Sequence, residues 1–204
     1  MITTTLNRIR AHKPCGISPR TSRLTGYQRL KAGLGPHIGN NDPFPFARIV
    51  EINGLQDALW CCRVEPQYDR EWRLFFVWCC RRIKHLMADE GNRWALRVAE
   101  RYAYGQATDA ELAKAVQAAK EAVTERTSPT TNTADKAYMA AWWEYTTVTS
   151  VPEAVMEAAN AAREAAKQDP RLRSVWTEWE AAEFERSKQV QKFLRIVTET
   201  EARK

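Results

Sequence analysis

From Trp72 to Met87 the large apolar side chains recur every three or four positions, as Trp72, Phe76, Cys79 with Cys80, Ile83, and Leu86 with Met87. That spacing traces one face of a helix with 3.6 residues per turn, not the alternation of a half-buried strand. Within it, Leu74 to Cys80 is apolar all round, which predicts a helix at the centre of a core. A buried strand fits so short a run equally well, but the helical spacing continues through Arg81 to Met87. The run is far too short to cross a bilayer, so no membrane segment is expected.

Start and stop signals divide the rest of the chain into further helices. A short one from Thr25 to Leu34 ends at Gly35-Pro36, because glycine takes the left-handed conformation and proline cannot continue the ladder. Asp42-Pro43 supplies an N-cap and a first-turn proline for a helix that Asn53-Gly54 ends. Leu55, Ala58, Leu59 and Cys62 share a face over Leu55 to Arg63. The helix centred on Trp72 to Met87 starts near Tyr68, and Asp89 can cap another that runs to Tyr104, with Trp94, Leu96, Val98 and Tyr102 as core candidates. Thr108-Asp109-Ala110-Glu111 is a capping box that opens an Ala-rich helix to Glu125. The polar stretch 127–133 reads as a linker, followed by helices over 134–148, 151–167 and 170–198. The predicted fold is an all-α multi-helix bundle with a basic N-terminal arm and a long C-terminal helix. Its parts are an arm and short helix at 1–41, a helical core at 42–126, the linker at 127–133, and a three-helix region at 134–204.

Charge is distributed unevenly. Residues 1–41 hold seven bases, Arg8, Arg10, Lys13, Arg20, Arg23, Arg29 and Lys31, and no acid, whereas the remainder sets 24 bases against 25 acids. The excess points to a polyanion or to acidic groups of a protein partner. Phosphate contact would give salt-dependent affinity without sequence readout; guanidinium groups can equally grip acidic or backbone groups of a protein. A solvated, packed-down extension is the plain alternative, and Ile2, Leu6 and Ile9 can anchor one side of the segment. No helix-turn-helix glycine turn, zinc finger or aromatic RNA-binding strand accompanies the charge.

A second candidate surface lies on the last helix, where Trp176, Trp179, Phe193, Leu194 and Val197 belong to two apolar clusters on either side of a polar stretch. A helix near thirty residues, at about 1.5 Å per residue, is expected to overhang a small domain and to offer its apolar end to a partner or a second copy. Core packing is the usual reading of such a stripe, as it is of the adjacent Trp142 and Trp143.

Catalytic and metal signatures are missing from the sequence. His12, His37 and His85 have no partner motif, and Gly33-Leu34-Gly35 with Gly39 follows no strand and is broken by a proline, so it is no dinucleotide fingerprint. Five cysteines, Cys15, Cys61, Cys62, Cys79 and Cys80, form an odd count without metal-ligand spacing. Reduced thiols buried as small hydrophobes are expected. Neither an enzyme, a metal nor a cofactor is expected, and without an apolar signal segment at Met1 to Lys13 the chain is expected in the cytoplasm.

Four blocks occur in order: Asn7-Arg8-Ile9-Arg10-Ala11-His12 with Pro14-Cys15; Asn53-Gly54-Leu55-Gln56-Asp57-Ala58-Leu59-Trp60-Cys61; Asp69-Arg70-Glu71 through His85-Leu86-Met87; and Val98-Ala99-Glu100-Arg101 followed by Gly105 and Ala107-Thr108-Asp109. Through these blocks residues 1–120 resemble a family of small helical proteins encoded by bacteriophages and prophages. Gln56 stands where the family pattern has an acid. The resemblance implies phage origin, action inside a host bacterial cell and a helical fold, and carries over no catalytic residue. With the missing catalytic groups it leads to the expectation of a non-enzymatic binding protein that antagonises a bacterial defence protein or ribonucleoprotein, in the manner of an anti-CRISPR protein. A phage accessory protein whose basic arm binds nucleic acid is the alternative.

Overall fold

The computed structural model of the protein describes residues 1–14, 24–82, 90–124 and 178–200. The fold is all-α, as the helical spacing predicts, with one minimal strand pair. The chain forms two compact units, Met1–Tyr68 with Val190–Lys204, and Asp69–Gln189. The stretches 127–133, 134–148 and 151–167, with Trp142 and Trp143, lie outside the described residues.

In the first unit β1 (Thr3–Thr4) pairs antiparallel with β2 (Phe44–Pro45), Thr3 opposite Pro45 and Thr4 opposite Phe44. Helix α1 (Leu6–Ala11) follows at once, capped by Thr5, whose Oγ1 accepts the Arg8 N–H at 3.2 Å. Ile2, Leu6 and Ile9 are buried. Over residues 1–14 the expected basic arm is a strand and a helix seated in a core, the packed-down alternative anchored by Ile2, Leu6 and Ile9. The burial of three large aliphatic side chains outweighs the local charge and the breaker Pro14.

Helix α2 (Gly26–Leu34) carries a full capping box, Thr25 Oγ1 accepting from the Gln28 N–H and the Gln28 side chain accepting from the Thr25 N–H. It packs against α3 (Ala47–Asn53). Gly33 makes that approach possible, since a Cβ there would stand 2.6 Å from Cγ2 of Ile52. The expected helix start at Asp42-Pro43 is corrected: Asp42 Oδ2 accepts the Gly39 N–H at 2.8 Å in a turn, and α3 begins at Ala47. Phe44 and Pro45 are held extended by β1, and the Phe46 N–H donates to the Ile2 carbonyl at 3.0 Å, so no helix can start earlier. Gly54, at φ +86°, ends α3 and precedes α4 (Leu55–Cys61), after which two 3-10 turns, Cys62–Val64 and Pro66–Tyr68, complete the segment.

The C-terminal part of α8 (Glu178–Glu199) closes this unit. The Ile2 N–H donates to the Val197 carbonyl at 2.7 Å, and the rings of Phe46 and Phe193 lie 6.1 Å apart, tilted by 51°.

The second unit holds α5 (Asp69–Arg82), α6 (Glu90–Ala103) and α7 (Asp109–Thr124), α6 packing on both others. Trp72, Phe75, Phe76, Val77, Cys79 and Cys80 are buried on α5, while Leu74 and Trp78 are half-buried. The Thr108–Glu111 box forms as predicted, the Thr108 N–H donating to Glu111 Oε2 at 2.9 Å and the Glu111 N–H to Thr108 Oγ1 at 3.2 Å. Arg82 forks onto Glu185 of α8 through two hydrogen bonds, with the Trp78 ring 5.1 Å from its guanidinium carbon.

Candidate functional site

The seven bases of the N-terminal fifth do not form one class. Arg8 reaches Glu65, its Nη1 2.6 Å from Oε2, and Gln67 Nε2 donates to the same oxygen at 2.6 Å. Glu65 has no exposed surface, whereas the Arg8 side chain is 56% exposed. Arg29 turns towards Asp57, 3.5 Å away, and Asp57 Oδ2 also accepts from Asn53 Nδ2 at 2.8 Å. The same Asn53 nitrogen donates to the Gly26 carbonyl at 2.7 Å, so this cluster ties the start of α2 to the α3–α4 junction. Asp57 leaves no room for a side chain on Gly26, where a Cβ would stand 2.6 Å from Oδ2. Arg8 and Arg29 are thus tied to acids of their own unit.

Arg10, Lys13 and Lys31 are exposed and have no ion-pair partner among the described residues. Arg10 and Lys31 belong to the last turns of α1 and α2, where a cation meets the negative end of the helix dipole. Lys13 follows α1 with φ +50°, the one positive φ among the described residues that are not glycine. His12 is exposed beside it, and α1 packs on α2. Arg20 and Arg23 lie outside the described residues.

The proposed interface on the last helix is placed differently. Phe193 and Val197 have no exposed surface and Leu194 is half-buried, so the apolar end of α8 is core of the first unit and not an overhang. The reason is the residue just before β1, the buried Ile2, whose N–H donates to the Val197 carbonyl. Trp176 and the side chain of Trp179 lie outside the described residues.

No family model, curated protein or solved structure matches the chain.

Cys61, Cys62, Cys79 and Cys80 are free and buried, and burial raises all four thiols, Cys80 to about 12. At neutral pH they are thiols and poor nucleophiles, since the thiolate is the reactive form. Among the described residues no three His, Cys, Asp or Glu side chains gather where they could hold a metal ion, and no helix is long and apolar enough to cross a membrane. His12 and His37 are exposed, and His85 lies outside the described residues.

Sequence reasoning missed Glu65 as the group that claims Arg8. An acid set among Leu59, Cys61, Cys62, Val64 and Tyr68 was the available signal, because a carboxylate in an apolar stretch implies a cation brought to it. In the second unit the described acids and bases form pairs such as Arg73–Asp69, Arg81–Glu100, Arg97–Glu90 and Arg101–Glu111. The hydrogen bond from Arg97 helps hold Glu90 below the usual carboxylate range, and the bond from the Thr108 N–H does the same for Glu111.

Proposed function

We propose that the protein is a non-enzymatic, phage-encoded binding protein that antagonises a bacterial defence complex, of the anti-CRISPR kind, by occluding it. The observation that carries this reading is the corner at the end of α1, where Arg10 and Lys13 stand exposed with no acid paired to them among the described residues. Cations held on a fixed surface steer encounter and fix register with an oppositely charged partner. The resemblance of residues 1–120 to phage and prophage proteins supplies the biological setting, and the buried, protonated thiols support binding over nucleophilic chemistry.

The test is the plating of a phage sensitive to a defined defence system on a host that expresses this chain. Plaques should be restored at least tenfold by the unaltered chain, and not by the Arg10→Ala/Lys13→Gly variant. Failure to restore plaques against any of a panel of CRISPR and other nuclease-based systems rejects the reading.

The absence of any acid before Asp42 also favours a second reading, direct binding to nucleic acid. Arg10, Lys13 and Lys31, the cations of this stretch without an ion-pair partner among the described residues, would by themselves give an affinity for duplex DNA that falls about 40-fold between 50 and 200 mM salt. Binding that persists across that range has another source.

A further inference from the structure

Lys13 occupies a position that its own backbone disfavours. Helix α1 ends at Ala11, with His12 as its C-cap, and the Lys13 N–H donates back to the Arg10 carbonyl at 3.0 Å. That bond belongs to the closing turn that glycine normally makes, because the left-handed conformation crowds any Cβ. Pro14 adds a second conflict, since a residue before proline is pushed towards extended φ near −120°, and Lys13 sits at +50°. Pro14 also has no N–H to give, so the second hydrogen bond of a Schellman turn cannot form. Strained non-glycine residues collect where function demands a particular side chain. Here the side chain is an exposed ammonium three residues from the exposed Arg10, with the exposed His12 between them in sequence.

Resting on the proposed function, we infer that this corner, centred on Arg10 and Lys13, is the docking point for a carboxylate-rich surface of a protein partner. Charge complementarity sets the sign of the partner, and one observation favours carboxylates over the phosphates of an exposed, unstacked nucleic acid. Among the described residues of the first unit no Trp, Tyr or Phe is exposed to stack on a base. Arg10 offers the planar fork that takes a carboxylate through two parallel hydrogen bonds, and Lys13 adds a point charge beside it.

The test titrates the full-length, isotope-labelled protein with a hexaglutamate peptide and, separately, with a six-base-pair DNA duplex, following backbone amide shifts at physiological salt. Hexaglutamate should shift the amides of Ile9 to Lys13, and bind more tightly than the duplex. Lys13→Gly should weaken hexaglutamate binding about fivefold while raising Tm by about 2–4 °C, because glycine relieves the backbone. Lys13→Arg should keep the affinity. Tighter binding of the duplex at this corner, an unchanged affinity in Lys13→Gly, or a Tm that does not rise each overturns the inference. The phage plating assay separates the two levels. If the chain restores plaques and the Lys13→Gly variant restores them equally, the docking point is elsewhere while the antagonist reading stands; if the chain never restores them, that reading falls whatever the titration gives.

Discussion

Arg8 and Arg10 stand two residues apart in one short helix, and their roles diverge because of a single acid that comes from 57 positions further along. Glu65 has no exposed surface, and Arg8 stands 2.6 Å from its carboxylate. A buried carboxylate stripped of its cation is strongly unfavourable, by about 3–5 kcal/mol when both partners are buried. Since more than half of the Arg8 side chain is exposed, Arg8→Ala is expected to destabilise the protein by about 2 kcal/mol after allowance for solvent screening, measured by urea denaturation. Arg10→Ala should stay within about 0.5 kcal/mol of the unaltered protein, as surface changes away from such features do. Equal losses for the two would mean that Glu65 does not depend on Arg8. This divergence was not legible in the sequence, where both residues read as cations on an acid-free stretch. Local chemistry was legible: glycine at the end of α2 and the box at Thr108 and Glu111 act within four residues, and both form.

Among the elements, α8 departs furthest from its expected use. Its apolar end was expected as an interface, yet Phe193 and Val197 are core. A pattern of apolar positions announces that a helix face is covered but not by what, and the cover here comes from the opposite end of the chain. Phe193→Ala should therefore cost about 3–5 kcal/mol of stability, and Leu194→Ala, at a half-buried position, about 1–2 kcal/mol. Both should leave the mass measured by light scattering unchanged. A Phe193→Ala protein that keeps its stability but changes its association would return that residue to an interface. The strand pair was invisible for a related reason, since two residues are too few to show a period, and their pairing rests on Phe46 and Ile2 meeting across 43 intervening residues. Helix α5 was readable because its own spacing, continuing past the apolar run, decides between helix and strand.

For the molecule as a whole, the buried thiols set an alkaline limit. Burial raises Cys61 and Cys62 in the first unit and Cys79 and Cys80 in the second, so between about pH 8.5, where unfolded cysteines ionise, and the value of about 12 for Cys80 the folded chain holds more protons than the unfolded one. Stability is thus unaffected by these groups below that window and falls as pH rises through it, by about 1.4 kcal/mol per pH unit for each thiol. Thermal melts from pH 8 to 10.5 should show that decline, shallower in a Cys80→Ala variant; an equal slope in the two would mean that Cys80 ionises in the folded state. The first unit has a further property, because it takes its residues from two segments far apart in sequence, 1–68 and 190–204. On the ribosome, at about 5–20 residues per second, its first part emerges on the order of ten seconds before Phe193 and Val197 are made. Throughout that interval Ile2 and Phe46 wait with an open apolar surface. The first unit can close only once the segment that carries Phe193 and Val197 has been made.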